Sequence, residues 1–257
     1  MKMIFMGRKH YAAEMLKWTI GQGIEVVLVC TDDQFPNSPT MKVAKEHGIP
    51  VVSMEEAEAY AASHAEELDL VISYLYWRKI RKPLIEIPRY GCINFHPAIL
   101  PDWRGTAGYN IAILKKLPAW GATAHYVDES VDTGAIIRVY KFDFDWRHET
   151  ACSLEKKTQS IQMDLYKSVI TDVTEQGRLQ AETQDRSQGV YISRKEMNGM
   201  KAIDLKNIED ADLDLMIRAF WFPPYDGACI EVGGKRYTLV NESILKSLQS
   251  EDQTAQL

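Results

Sequence analysis

The sequence has few cysteines and no long apolar run. Its four cysteines are scattered over 257 residues without a C-x-x-C pair, which argues against a disulfide framework or a cysteine-bound metal. No stretch of eighteen apolar residues occurs, and the N-terminus turns polar too soon for a secretory signal. We therefore expect a cytoplasmic protein with reduced, buried thiols, no bound metal and no membrane contact.

An excess of positive charge is also missing. The formal net charge is -6, and residues 186–257 contain nine Lys or Arg against eleven Asp or Glu. Binding to a phosphate backbone usually requires the opposite balance. The composition therefore weighs against nucleic acid as a partner, although it leaves room for a local basic patch.

Several well-known catalytic motifs are absent as well. The first predicted strand is followed by Gly7-Arg8-Lys9-His10 and not by G-x-G-x-x-G, so a nicotinamide dinucleotide site is poorly supported. The sequence also has no Walker lysine loop, no H-E-x-x-H helix and no G-x-S-x-G elbow. The chemistry must come from a different set of residues.

Strand and helix patterns alternate over the first two thirds of the chain. Continuous apolar runs predict strands at 1–6, 25–31, 49–53, 68–76, 92–96, 120–128 and 135–144. Apolar residues at helical spacing predict helices at 11–20, 40–47, 54–66, 109–116 and 150–175. This alternation is typical of an α/β fold with a mostly parallel sheet.

The pattern changes after Gly177. A short helix is predicted near 211–220, and the strands 229–232 and 236–240 lie on either side of the hairpin signal Gly233-Gly234. These elements are typical of a small α+β unit.

The two patterns define the expected domains. We predict an α/β domain at 1–180 and a small α+β C-terminal domain at 186–248. The polar residues 249–257 are expected to form a flexible tail.

A polar pair at the end of the predicted strand 92–96 is the first candidate for chemistry. Asn94 and His96 are two residues apart, so an extended strand places both side chains on the same face. In open α/β sheets the ligand crevice lies beyond the carboxyl ends of the strands. A lone histidine is more often structural, but the neighbouring amide favours a functional site.

Asp132 strengthens this interpretation. It lies in the turn 129–134 between two predicted strands, where a carboxylate can orient an imidazole and stabilise its protonated form. His125, inside the first of these strands, is ambiguous, and we assign it to the sheet face or to the wall of the site. The sequence does not show whether Asp132 and His96 meet.

The same residues belong to a wider pattern. The chain has Asn94-Phe95-His96-Pro97, then Leu100-Pro101 and Arg104-Gly105, and later Asp132-Thr133-Gly134. In this combination it resembles the folate-dependent formyltransferases from the first strand to about residue 150. The resemblance implies a Rossmann-like formyltransferase domain, 10-formyltetrahydrofolate as donor and an amine as acceptor. It also implies that Asn94, His96 and Asp132 are catalytic, and leaves open whether His96 or Asp132 is the base.

A segment after the predicted strand 68–76 is similar to the family loop that holds the pteridine ring of folate. The residues that we assign to the folate by this resemblance are Leu75, Tyr76, Trp77, Arg78, Val131 and Gly134. The alternative for the aromatic residues is that they only pack against a helix.

The C-terminal half contains the signs of the acceptor. Residues 217–228 resemble the R-A-x-x-x-P-x-x-G-A signature of several family members, and the aromatic cluster there is most similar to the sugar N-formyltransferases. Either this cluster stacks on a nucleobase or it forms the core of the small domain. Cations near a strand end suit a diphosphate. The substrate-binding candidates are Arg8, Lys9, Arg104, Gly105, Thr106, Trp221 and Tyr225.

We therefore expect a homodimeric sugar N-formyltransferase that formylates a deoxyamino sugar linked to a nucleoside diphosphate, for surface polysaccharide or O-antigen synthesis. The alternative acceptors are methionyl-tRNA and glycinamide ribonucleotide. A regulator that binds folate or a nucleotide without catalysis is the alternative from another class, because a fold alone does not fix a function.

Overall fold

The computed structural model describes residues 1–31, 37–106, 108–207 and 209–254. Its strands are β1 (Lys2–Gly7), β2 (Glu25–Cys30), β3 (Leu70–Tyr74), β4 (Cys92–His96), β5 (Trp103–Gly105), β6 (Ala119–Tyr126), β7 (Ile136–Asp143), β8 (Val190–Ile192), β9 (Cys229–Val232) and β10 (Lys235–Thr238). Its helices are α1 (Lys9–Gly21), α2 (Pro39–Glu46), α3 (Met54–Ser63), α4 (Lys82–Glu86), α5 (Gly108–Leu114), α6 (Ala151–Gln176), α7 (Arg194–Gly199), α8 (Asp210–Phe220) and α9 (Glu242–Thr254).

The central sheet has six strands in the order β2-β1-β3-β4-β6-β7. The strand pairs β1–β2, β1–β3 and β3–β4 are parallel, and β4 pairs with β6 in the antiparallel sense. Helices connect the parallel strands, as such crossovers require. The prediction of an α/β fold with a mostly parallel sheet is confirmed.

Sequence signals explain where several helices begin. α2 starts with Pro39 after Ser38, whose hydroxyl accepts a hydrogen bond from the backbone N–H of Met41 at 3.2 Å. α3 starts with a capping box in which Ser53 and Glu56 satisfy each other's backbone N–H groups. Such caps satisfy donors that have no partner inside the helix.

An aromatic cluster holds α6 against the sheet. The ring of Tyr166 on α6 lies 4.8 Å from Phe95 of β4, 5.6 Å from Tyr74 of β3 and 6.5 Å from Phe5 of β1, measured between ring centroids. All four side chains are fully or almost fully buried. Each ring buries a large apolar area, so this contact fixes the strand ends that carry the candidate site.

The chain divides into two compact units that interleave along the sequence. The first comprises residues 1–104, 121–141 and 158–190, and the second comprises residues 105–120, 142–157 and 191–257. The chain passes into the last segment of the second unit close to the boundary that the sequence predicts at 180–186. The continuous domains 1–180 and 186–248 stay a prediction.

The second unit contains the predicted small sheet. Strands β9 and β10 form an antiparallel hairpin, and Gly233 and Gly234 have φ angles of +58° and +72° at its turn. Two successive positive φ angles favour glycine and match the twist of a tight hairpin. This part of the sequence prediction is confirmed.

Some elements differ from the prediction. The predicted strand 49–53 is wrong, because only a single bridge joins Val51 to Val29; Pro50 lacks the N–H that a ladder needs. The short elements α4, β5, α7 and β8 have too few residues to show a period. The predicted tail 249–257 overlaps α9 as far as Thr254, and residues 255–257 lie outside the described residues.

The cysteines are free thiols, and three of them, Cys30, Cys92 and Cys229, are buried. Burial raises the pKa of the Cys30 thiol to about 12 and raises the pKa of Cys92 as well. None of the helices in the described ranges is both long and apolar enough to cross a membrane.

These buried thiols predict a loss of stability in alkali. The unfolded chain loses its thiol protons from about pH 8.5, whereas the folded chain keeps the Cys30 proton up to about pH 12. The free energy of unfolding should therefore fall as the pH rises above about 9, by up to about 1.4 kcal/mol per pH unit for each such thiol. Urea unfolding at pH 7 to 10 measures this slope. Cys30→Ala should reduce it, and Cys152→Ala, at a position that is not buried, is the control; equal slopes in the two variants would contradict the account.

Candidate active site

The antiparallel pairing of β4 with β6 brings Asn94 opposite His125. Nδ2 of Asn94 lies 3.1 Å from Nε2 of His125, and Nδ1 of His125 lies 2.7 Å from the carbonyl oxygen of Tyr126. Because a carbonyl only accepts, Nδ1 donates to it, and in the neutral ring Nε2 then accepts from the Asn94 amide. These contacts orient the His125 ring and the Asn94 amide.

Asp132 bridges the two histidines. One carboxylate oxygen lies 3.6 Å from Nδ1 of His96, and the other lies 3.6 Å from Nε2 of His125. The side chains of His96, His125 and Asp132 are only 9%, 2% and 11% exposed. A carboxylate held this close in a poorly hydrated site stabilises positive charge on a neighbouring imidazole.

His96 is anchored on its other side. Its Nε2 donates a hydrogen bond to the carbonyl oxygen of Trp103 at 3.0 Å. In the neutral ring this bond leaves Nδ1 as the nitrogen that can take a proton, facing Asp132. The arrangement can therefore hold a proton between imidazole and carboxylate.

The loop that carries Asp132 presses closely on β6. Asp132 has a φ of +56°, in the left-handed region, and a Cβ atom on Gly134 would lie 1.8 Å from the carbonyl oxygen of Tyr126. Only glycine allows that approach. The glycine of the Asp132-Thr133-Gly134 motif therefore serves to bring the carboxylate onto the strand of His125.

Two buried glutamine amides of α6 support β4 through hydrogen bonds. Gln162 of α6 donates to the carbonyl oxygen of Phe95 at 2.8 Å and accepts from Gln159 at 3.1 Å. Gln159 in turn accepts from the hydroxyl of Tyr74 at 3.2 Å. This chain of hydrogen bonds connects the end of β3 to the peptide between Phe95 and His96. Nothing in the strand pattern predicts it.

Thr123 fixes the loop that follows β4. It lies opposite His96 in the β4–β6 register, and its buried hydroxyl donates to the carbonyl of Ala98 at 2.7 Å and accepts from the N–H of Leu100 at 3.1 Å. Strand β6 thus contributes two polar residues, Thr123 and His125, that organise the site. The sequence predicts only a sheet-face or site-wall role for His125 and no role for Thr123, because the register of two distant strands is not visible in a sequence.

The folate candidates lie at the carboxyl edge of the parallel strands. Leu75 follows β3 with a φ of +58°, and its carbonyl accepts a hydrogen bond from Nε of Arg8, after β1, at 3.2 Å. Trp77 is 41% exposed, and Arg78 forms an ion pair with Glu55 at 3.0 Å. The sheet register puts Tyr74 beside both Gly7 and Phe95, so this loop and the catalytic candidates share one edge.

An open cavity adjoins this loop. Its volume is about 460 Å³, and it is lined by Met54, Trp77, Arg78, Lys79 and Arg81. An aromatic side chain and three cations can receive a flat, anionic molecule.

The remaining folate and phosphate candidates lie in the same unit. Val131 is 43% exposed beside Asp132, and Lys9 has a φ of +69° at the start of α1. Arg104 donates from Nη2 to the carbonyl of Gln188 at 3.0 Å, and its Nε is buried without a hydrogen-bond partner among the described residues. Arg8 and Arg104 thus contact backbone carbonyls in this unit.

The other substrate candidates lie in the second unit. Gly105 has a φ of +82°, and the backbone N–H of Thr106 donates to the carbonyl of Ile192 at 2.8 Å. The carbonyl of Trp221 accepts from the N–H of Cys152 at 3.0 Å. Tyr225 is 55% exposed.

The aromatic cluster that follows α8 has two parts. Phe220 is buried in the core of the unit, with 1% exposure. The ring of Phe222 stacks on Tyr109 with centroids 6.3 Å apart and planes at 9°, and lies 5.7 Å from Tyr225. Phe220 thus follows the core alternative, and stacking of the other aromatic residues on a nucleobase stays a prediction.

Arg218, the arginine of the R-A-x-x-x-P signature, forms hydrogen bonds within its own unit. Nη1 of Arg218 donates to the carbonyls of Trp146 and Glu149 at 2.6 and 3.0 Å. Its Nε donates to Asp214 at 2.7 Å. Arg218 therefore joins α8 to the loop before α6. No group of three or more His, Cys, Asp or Glu residues in the described ranges has the arrangement of a metal site.

The close approach of Gly134 can be tested by substitution. Gly134→Ala should lower the free energy of unfolding by about 1–3 kcal/mol, because a Cβ atom there overlaps the Tyr126 carbonyl. Gly21→Ala is the matched control, since a Cβ atom at Gly21 meets nothing within 4 Å. Urea unfolding of both variants gives the two differences. Equal stabilities would mean that the loop does not press on β6.

Comparison with known proteins identifies the family. A family model described as "Formyl transferase" matches residues 1–170. The methionyl-tRNA formyltransferase of Methylobacillus flagellatus is 31% identical over 231 residues, which cover 86% of this chain and 74% of the relative. The chain spans 63% and 54% of two Bacillus relatives of the same name.

Solved structures share the fold over almost the whole chain. A 4-N formyltransferase from Francisella tularensis superposes with a TM-score of 0.79 at 24% identity, over 94% of this chain and 97% of that one. An N-formyltransferase from Helicobacter canadensis, in complex with folinic acid and dTDP-3-aminofucose, superposes with a TM-score of 0.74 at 23% identity, over 94% and 89% of the two chains. Since the family model matches well over half of the sequence and includes all the residues around Asp132, the chain belongs to the formyl transferase family.

Proposed function

We propose that this protein is a cytoplasmic sugar N-formyltransferase. It moves the formyl group of 10-formyltetrahydrofolate to the amino group of a deoxyamino sugar linked to a nucleoside diphosphate, and so serves surface polysaccharide or O-antigen synthesis. The observation that carries the proposal is the cluster of Asn94, His96, His125 and Asp132 at the carboxyl edge of the sheet in a member of the formyl transferase family.

Amide formation requires a site that stabilises negative charge on oxygen. A neutral amine attacks the formyl carbon, and the formyl oxygen becomes an oxyanion in the tetrahedral intermediate. The amide nitrogen of Asn94 has two hydrogens, and the contact with His125 uses one of them. We assign the second to the formyl oxygen.

The attacking nitrogen must also lose a proton. His96 and Asp132, 3.6 Å apart, form the proton-holding pair. The proton passes from the amine to this pair, directly or through water, and then to N10 of the folate as the C–N bond to the formyl carbon breaks. The products are the formylated sugar and tetrahydrofolate, and the enzyme returns to its starting state.

The donor loop supports folate as the source of the formyl group. We assign main-chain groups of Leu75 and Tyr76 to the pteridine ring, whose amide-like donors and acceptors a backbone can match. The cavity beside Trp77, with Arg78, Lys79 and Arg81 in its lining, suits the carboxylates of the glutamate tail. Val131 and Gly134 complete the proposed folate set from the Asp132 loop.

Two observations favour a sugar as the acceptor. The C-terminal residues 186–257 carry an excess of negative charge, which disfavours a grip on RNA. The chain also superposes on a 4-N formyltransferase and on a sugar N-formyltransferase over 97% of each of those chains. In this proposal Arg8, Lys9 and Arg104 of the first unit are assigned to the diphosphate. Gly105, Thr106, Trp221 and Tyr225 of the second unit stay candidates for substrate binding.

Methionyl-tRNA is the second candidate acceptor, because the relatives at about 30% identity bear that name.

A homodimer is also part of the proposal, supported by exposed apolar side chains of the second unit such as Tyr191, Val232 and Tyr237. Light scattering tests the dimer.

The direct test is tetrahydrofolate release from 10-formyltetrahydrofolate in the presence of single acceptors. The panel contains nucleotide-linked 3-amino and 4-amino sugars, charged initiator tRNA and glycinamide ribonucleotide. We expect turnover with one of the sugars. Turnover with the tRNA alone would overturn the sugar proposal, and folate binding without release in any reaction would favour a regulator.

The oxyanion assignment predicts the effect of removing one amide. Asn94→Ala should lower kcat by about a hundredfold or more, since a positioned oxyanion donor acts mainly in the transition state. KM for the acceptor should change little. The control is Asn198→Ala, at an exposed position on α7, which should keep the wild-type kcat. A loss confined to KM would assign Asn94 to substrate binding instead.

A further inference from the structure

We infer that Gln184 is a positioning residue that holds the Asp132 loop in its active shape. Its side-chain amide nitrogen donates to the carbonyl oxygens of Asp132 at 3.1 Å and of Gly134 at 2.6 Å. Gln184 is 8% exposed, and it lies 52 residues away from Asp132 in the chain. The catalytic role of Asp132 itself rests on the proposed function.

The segment around Gln184 is fixed independently of this contact. Two residues earlier, Glu182 and Ile136 exchange a pair of backbone hydrogen bonds, both 2.8 Å long. Two residues later, Arg186 donates to the carboxylate of Asp128 at 2.7 Å. Residues 182–186 therefore meet both ends of the loop 128–136, and Gln184 contacts its middle.

Gln184 contacts the part of the loop that has an unfavourable backbone conformation. Asp132 adopts a φ of +56°, a left-handed conformation that is less favourable for a residue with a Cβ atom than for glycine. Gln184 bonds the peptide carbonyl of Asp132 and leaves its carboxylate to face His96 and His125. Loss of these two donors allows the peptide to rotate, which moves the carboxylate relative to both rings.

The amide of Gln184 is oriented by the two carbonyl oxygens that accept from it. Its Oε1 atom is buried and has no hydrogen-bond partner among the described residues. A reversed amide would direct an oxygen at two carbonyl oxygens, which is unfavourable, so the assignment of Nε2 is unambiguous. A buried acceptor without a partner lowers stability, which favours a role for the side chain beyond holding the fold together.

Two substitutions test the role. Gln184→Leu removes both donors, and Gln184→Glu does the same with almost unchanged volume, so that it serves if the leucine variant does not fold. Gln180→Leu and Gln180→Glu are the controls, because Gln180 is an exposed glutamine four residues earlier.

The first measurement needs no substrate. NMR at a fixed pH records the ring signals of the six histidines, with His96→Gln and His125→Gln used for assignment. The signals of His96 and His125 should shift in the Gln184 variants and stay in place in the Gln180 variants, because a carboxylate oxygen of Asp132 lies 3.6 Å from each ring. Unshifted signals would overturn the inference, whatever the reaction is.

The second measurement is kinetic. With the acceptor that the wild type uses, the Gln184 variants should lose about tenfold or more in kcat, with KM for both substrates within about twofold, as expected for a misplaced catalytic group. A wild-type kcat in both variants would overturn the inference. If the wild type transfers no formyl group to any acceptor, the proposed function fails and the NMR result alone decides the role of Gln184.

Discussion

The antiparallel pairing of β4 with β6 is the constraint on which the site depends. It places Asn94 opposite His125 and His96 opposite Thr123, and a shift of either strand by one residue would turn the two side chains of that strand to the other face of the sheet. The parallel part of the sheet brings the loop that follows β3 to the same edge. The pairing of β4 with β6 thus places a specific polar cluster at an edge that α/β folds share in general.

The cost of burying this cluster explains the supports around it. Polar side chains with little exposure are tolerated only when they are paired, and here each imidazole has a backbone carbonyl on one side and Asp132 on the other. The amides of Gln162 and Gln184 hold the two backbone segments from outside the cluster. The proposed reaction therefore depends also on residues such as Gln162 and Gln184, which support the cluster without being part of it.

The sequence was a good guide to local features and a poor guide to distant ones. The strand 92–96, the turn around Asp132 and the Gly233-Gly234 hairpin could be predicted because each has a short-range signal in period, turn residues or a glycine pair. The partnership of Asn94 with His125, the support by Thr123 and the contact of Gln184 could not, since each depends on the pairing of segments far apart in the chain. The predicted strand at 49–53 is wrong because its apolar residues indicate a strand, whereas Pro50 lacks the N–H that a ladder needs.

A crystal structure with an unreactive analogue of the formyl donor and the amino sugar bound together would test the central claim most directly. The account predicts that the formyl oxygen lies within hydrogen-bond distance of the Asn94 amide nitrogen, with the amine of the sugar on the side of His96 and Asp132. A formyl group bound elsewhere, with Asn94 still turned to His125 and without contact to it, would contradict the account.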